Sequence, residues 1–256
     1  MRRGWGVPAF AALLLLVAAM PRAYADYIVA PDVVVYCEPT LRPTLADIAE
    51  HWRRTGGAPV HLFSSPTPAM LEQIGHHARA DLIIGEGEAN ADDAARRAII
   101  KPETRHDLWR NRLVVAARKE GEGAPGDLKT LIGSGPIAIV DPPVGLAGAD
   151  GRQALTALGL WPEVESHAAG VIDTADAVFL LRQHKAALAV VYATDVATTP
   201  GLSVAAPLPE DDYPPIRYWV AEAHNVLSPN TSAFAAFLLQ PAAQEIARAD
   251  SLEVLP

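Results

Sequence analysis

Along this chain short β-branched runs without polar alternation give way, again and again, to segments whose apolar residues recur at helical spacing. "DVVVY" (32–36) has the pattern of a strand covered on both faces. Leu41, Leu45, Ile48, Ala49 and Trp52 then repeat every three to four residues, which predicts a helix from Thr40 that Gly56-Gly57 stops. "VHLF" (60–63) predicts a second strand, followed by "SSPTP" and the helical "AMLEQIGHHA". "ADLIIGEG" (80–87) predicts a third strand, with "ANADDAARRAII" as its helix.

The second half repeats the scheme. "RLVVAAR" (112–118) reads as a strand before a Gly-rich surface loop, and "PIAIVD" (136–141) as a strand before a helix that ends near Gly159. "DTADAVFLLRQHKA" is helical, "ALAVVYATD" a strand, and "YPPIRYWVAEA" (213–223) a late strand. "TSAFAAFLLQPAAQEIARAD" predicts two terminal helices divided at Pro241. Alternating β and α segments imply parallel sheets with helices on both faces, an α/β fold. Two clusters of such units, before and after about residue 115, imply two lobes.

Composition changes the picture at the amino terminus. Arg2 and Arg3 precede "FAALLLLVAAM", and "AYA" (23–25) supplies small residues for cleavage, so 1–25 reads as an export signal. The mature chain is then a soluble periplasmic protein. Removing Arg2, Arg3 and Arg22, with no acidic residue lost, takes the formal charge from −9 to −12. That acidity argues against nucleic acid and anionic membranes as partners. Cys37 is the single cysteine, so no intramolecular disulfide can form.

In parallel α/β sheets, ligands sit at the carboxyl ends of strands, where helix N-termini point inward. Four junctions here carry small or hydroxyl residues at such places: Thr40 after "VVVYCEP", Thr67 before Pro68, Ala147 and Gly148 in "DPPVGLAGADG", and Asp173 or Thr174 in "IDTADA". Each offers unpaired N–H groups and the positive end of a dipole, an anion site if they converge and merely a helix cap if they do not.

Four stretches, "RHDLWRNRLVVAAR", "IVDPPVGLAG" with "ALTALGLW", "VVYATD" and "LPEDDYPPIRYWVA", make the chain from about residue 33 onward resemble the periplasmic molybdate-binding proteins of ABC importers. The resemblance implies two lobes, each a mostly parallel sheet flanked by helices, joined by crossover strands. One lobe is expected over 26–112 with 205–256, the other over 113–204. It implies a monomer without metal or cofactor that closes over molybdate or tungstate, performs no reaction and delivers the anion to an inner-membrane ABC permease. Neutral donors carry over to the hydroxyls of Thr40 and Thr67, the backbone N–H groups of Ala147 and Thr174, and the hydroxyl of Tyr192. The chain departs from the family pattern at this site: Cys37, Glu38 and Pro39 replace small residues, Leu146 replaces a proline, and Asp173 stands where asparagine is common. A carboxylate repels a bare dianion, so Glu38 is expected at the rim, facing solvent or a cation.

Other chemistries have less to stand on. A Cys37 nucleophile needs a base, and the nearest histidines in sequence are His61, His76 and His77. Cys37, Glu38 and the His76–His77 pair match no zinc spacing, and "GEGEAN" lacks the third glycine of a dinucleotide loop. Phosphate, a phosphonate or an organic acid remains an alternative ligand.

Overall fold

The computed structural model describes residues 32–119, 128–133 and 135–255. The export signal read in 1–25 and most of the Gly-rich loop after Arg118 lie outside the described residues. The strands form two sheets. The first contains β1 (Val33–Cys37), β2 (Val60–Ser64), β3 (Leu82–Glu86), β4 (His106–Asn111), β10 (Ile216–Glu222) and β11 (Glu253–Val254), in the order β11-β4-β10-β3-β1-β2. The second contains β5 (Leu113–Arg118), β6 (Ile137–Val140), β7 (Ala168–Val171), β8 (Leu188–Tyr192) and β9 (Leu202–Pro207), in the order β7-β6-β8-β5-β9.

Parallel pairing is confined to β2-β1-β3 and β7-β6-β8, the strands that feed helices. β4, β5, β9 and β10, which carry the chain between the sheets, pair antiparallel. Both sheets are therefore mixed, because a chain that leaves a sheet and returns to it brings strands in against its direction. β4, β7, β9 and β11 were not legible in the apolar pattern: "HDLWRN" is half polar, and the others are short or lie at sheet edges. β9 lies across the change of lobe expected between 204 and 205 and pairs with β5.

β1 shows why the β-branched runs become central strands. Val33, Val35 and Cys37 pack into one core with Leu45 and Ile48 of α1 (Arg42–Arg54). Val34 and Tyr36 face the opposite way, against Met70 and Leu71 of α2 (Thr67–Gly75). Every residue of β1 is buried, as the absence of polar alternation requires. α1 ends at Arg54, and Gly56 takes the left-handed conformation (φ 96°) that turns the chain back toward β2.

Two connections join the sheets, one through Arg112 between β4 and β5, the other through 208–215 between β9 and β10. Hydrogen bonds hold the residues that flank them. The Asn111 amide donates to the Thr194 hydroxyl (2.9 Å) and the Tyr218 hydroxyl (3.2 Å), and the Leu113 N–H donates to the Tyr213 hydroxyl (3.0 Å).

Asp81, just before β3, ties the first sheet to the loop that follows β10. Its fully buried carboxylate accepts from the N–H groups of Val34 (2.9 Å), Leu227 (2.7 Å) and Ser228 (3.0 Å), with Arg79 at 3.2 Å. Burial alone would raise its pKa, but the three N–H groups and Arg79 outweigh burial and hold it below the usual carboxylate range. Asp81→Ala strands three inward-facing donors and should cost about 3 kcal/mol in a denaturant titration. A depressed folded pKa means that this contribution is complete above the ordinary carboxylate value and disappears as pH falls through the folded one.

Candidate functional site

The carboxyl ends of β1, β2, β6 and β8 point at a common space between the sheets, and each is followed by a helical turn. After β1 a 3₁₀ turn, Pro39–Leu41, leads into α1. After β2, Pro66 precedes α2, so Thr67 is the first helical residue and not the cap. After β6, α5 (Leu146–Ala157) starts behind Gly145. A Cβ on Gly148 would lie 2.2 Å from the Val140 carbonyl oxygen, so glycine is what lets the first turn of α5 rest against the end of β6. α7 (Thr174–Arg182) is capped by Asp173, whose carboxylate accepts from the Asp176 N–H at 2.8 Å. After β8, α8 (Ala193–Ala197) begins next to Tyr192, and the Asp195 carboxylate accepts from the Tyr192 N–H (2.9 Å).

Thr67, Ala147, Thr174 and Tyr192 line one buried cavity. Thr40 lies immediately behind its wall, next to Pro39; its hydroxyl is buried and stands near Asp195, but makes no hydrogen bond of normal geometry. Thr40 is the middle residue of the 3₁₀ turn rather than a helix cap, because Pro39 already starts the turn. The cavity volume is about 20 Å³, the room of a single water molecule. A larger hollow bounded by Ile74, Arg97 and Asn225 lies away from these helix starts, and another, bounded by Pro68, Asp93 and Val144, adjoins the first turn of α2.

Two carboxylates fill the space. Glu38 is only 8% exposed, and its carboxylate accepts from the Thr67 N–H (2.6 Å) and, at short range, from the Thr67 hydroxyl. The same hydroxyl oxygen accepts from the Glu86 N–H (2.9 Å). The Glu86 carboxylate takes the Tyr192 hydroxyl at 2.7 and 2.9 Å, a bond that spans the cleft from the first sheet to the second. Gly87 follows with φ 82°, and a Cβ there would come within 2.9 Å of the Leu146 side chain across the cleft. The expectation that Glu38 faces solvent or a cation at the rim is therefore overturned. The strand end turns inward and Thr67 offers it two donors, which a surface position would not.

Among the described residues no lysine, arginine or histidine lines the cavity. Burial pushes Glu38 up to about 7, against the two Thr67 donors that lower it and with Asp173 and Asp195 adding to the rise. Burial and then the Glu38 charge raise Glu86 well above its usual range, and the single Tyr192 donor offsets this only in part. Two carboxylates facing each other at such depth do not readily both ionise. Glu38, with the two Thr67 donors, is the better anion of the pair. Asp195 is raised to about 6 by burial, with the Tyr192 N–H and the nearby Thr40 and Thr174 hydroxyls opposing the shift. Asp150, also at the cleft, is raised to about 6 by burial.

Glu86 and Asp195 were given no role from sequence. The signal that finds Glu86 is an acidic residue ending an otherwise apolar strand, at the same strand end as Glu38 and directly before a glycine. Cys37 is fully buried, and burial, reinforced by the Glu38 charge, pushes its thiol up to about 12 despite Arg42. His76 and His77 follow the far end of α2, roughly 13 Å along the axis from Thr67. His61 is taken by Asp32 at 2.6 Å. Among the described residues no group of three or more His, Cys, Asp or Glu is placed to hold a metal ion.

Two outcomes follow from this geometry. Thr67→Ala leaves the Glu86 N–H and one Glu38 lone pair unpartnered and should lower stability by about 2 to 3 kcal/mol in chemical denaturation. Thr67→Ser keeps the hydroxyl and should lose only about 1 kcal/mol, the worth of one buried methyl. Cys37 should resist maleimide in the native protein at pH 8 and react fully once unfolded, as mass spectrometry would record; rapid native labelling would mean that β1 opens.

The model for the family described as bacterial extracellular solute-binding protein matches residues 33–251. The molybdate-binding protein ModA of Escherichia coli is 31% identical over 254 residues, covering 96% of each chain. Among solved structures, the periplasmic molybdate-binding protein of Azotobacter vinelandii superposes with a TM-score of 0.79 at 21% identity, covering 88% of this chain and 99% of that one. The sulfate-binding protein SubI of Mycobacterium tuberculosis gives a TM-score of 0.71 at 11% identity, covering 88% and 87%. These two likenesses bear on the fold, which has the same two sheets flanked by helices. By its sequence over nearly the whole described length, this chain belongs to the bacterial extracellular solute-binding proteins.

Proposed function

We propose that this protein captures a tetrahedral oxyanion, molybdate or tungstate first, in the periplasm and hands it to an ABC permease in the inner membrane. The observation that carries this reading is the convergence of three helix starts and the Tyr192 hydroxyl on one buried cavity between two sheets. Backbone N–H groups at the starts of α2, α5 and α7 and hydroxyls at Thr40, Thr67 and Tyr192 are neutral donors. Such donors suit a fully deprotonated oxyanion, which accepts hydrogen bonds and offers none. The Thr40 hydroxyl, buried next to Pro39 and near Asp195 without a bond of normal geometry, would turn to an anion oxygen only if the wall at Pro39 shifts. The name carried by the Escherichia coli relative supports molybdate as the first ligand to try.

In this reading the lobes, 26–112 with 205–256 and 113–204, move about the two crossover connections. Opening breaks the Glu86–Tyr192 bond and admits the anion; closing removes water from it. Binding alone is the activity, with no residue serving as nucleophile, and the closed rims of both lobes are what the permease recognises.

Thermal shift of the mature protein at pH 6 tests the reading. Molybdate and tungstate at 100 times their dissociation constants should add roughly 2.7 kcal/mol of stability. Sulfate, of the same charge but smaller, should add less. No change in midpoint with any of the three anions at millimolar concentration would refute oxyanion capture.

A further inference from the structure

We propose that Glu38 and Glu86 are specificity-determining residues of this oxyanion site: Glu86 meets the anion as a neutral carboxylic acid, and Glu38 takes up a proton when the anion arrives. The inference rests on the oxyanion reading and adds to it a proton that the neutral donors do not require.

The geometry carries the argument. The Thr67 N–H and hydroxyl, two of the donors assigned to the anion, already hold the Glu38 carboxylate. The Tyr192 hydroxyl, a third, already holds Glu86. With the sheets as they stand, about 20 Å³ is free, too little for an oxyanion beside these groups, so an anion held by the same donors in this arrangement replaces the carboxylate oxygens. The displaced carboxyl groups are anchored on strand ends inside the cleft and stay beside the ligand. An ionised carboxylate next to a dianion with no cation on the wall is repulsive, whereas a carboxylic acid donates an O–H and becomes one more donor.

The surroundings favour the acid form. Glu38 is faced by Asp173 and Asp195 from the second lobe and by Glu86 from β3, with Cys37 adjacent on its own strand. Glu86 is faced by Glu38, Asp150, Asp195 and the hydroxyls of Tyr192 and Tyr218. Arg42, beyond Cys37, is the nearby cation on the Glu38 side, and it does not reach the cavity wall. Glu86 is protonated before the ligand comes, so the proton taken from solvent goes to Glu38, whose own value is about 7. Binding raises that value further. Affinity is then flat below about pH 7 and falls above it, approaching tenfold per pH unit for one linked proton. The ligand class is an oxyanion accompanied by a proton.

Calorimetry of the mature protein with molybdate, at pH 8 in two buffers of different ionisation enthalpy, tests this. The wild type should take up close to one proton per anion, and its Kd should rise several-fold to tenfold between pH 7 and 8. Glu38→Gln should bind without proton uptake and with little pH dependence, while Glu86→Gln should bind and retain the uptake. Wild-type binding with no proton uptake, or an unchanged pH slope in Glu38→Gln, overturns the proposal and leaves oxyanion capture standing. Absence of binding to wild type and to both variants from pH 5.5 to 8 overturns both. The wild-type proton count stands as a test even where a variant fails to fold.

Discussion

A helix that follows a parallel strand has to begin at that strand's carboxyl end, and the position of the site depends on this constraint. In each sheet the parallel strands send their helices off from one edge, so the N–H groups of several first turns point into the same space. The crossover connections then set the two edges face to face. The loops between strand and helix are short, and close packing keeps them so: at Gly148 the first turn of α5 rests directly on the Val140 carbonyl.

Such a space is electropositive by construction, from backbone dipoles rather than from charged side chains. In this chain it does not stand open. Glu38 and Glu86 reach into it from the ends of β1 and β3 and take up the Thr67 and Tyr192 donors, which are thereby satisfied within the protein itself. The Glu86–Tyr192 bond also ties the first sheet to the second. The two carboxyl groups make the cavity acidic, with burial and mutual repulsion favouring their neutral form. Hydrogen-bond donors and carboxylates thus share one small space, and under the proposed function an anion has to compete with those carboxylates for the donors.

The crossovers are built differently from the lobes. The lobes hold themselves together by apolar contacts on both faces of their central strands. Beside the crossovers, the Asn111 amide donates to Thr194 and Tyr218, and the Tyr213 hydroxyl accepts from the Leu113 N–H. A few directional bonds are fewer contacts to break than an interlocked apolar core, which is compatible with the proposed movement of the lobes about these connections.

The α/β class, the central strands and the helices that follow them were legible in the sequence, because a strand buried on both faces must be continuously apolar and a helix must repeat near every 3.6 residues. β1, β3, β8 and α1 are of this kind. Edge and crossover strands such as β4 and β7 were not, since an edge strand or one rich in polar residues imposes no such pattern. The strand-to-helix junctions at Thr67, Ala147, Thr174 and Tyr192 could be located, but whether they met in one place could not, because convergence is a property of sheet order and lobe placement. Glu38 shows the limit most clearly. A carboxylate at a strand end reads as solvent-exposed, since burial of a charge is costly in the absence of partners. Only the folded chain brings Thr67 within 2.6 Å of it and sets Glu86 in the same cavity, and those neighbours, distant in sequence, decide both where the side chain points and which of the two is the better anion.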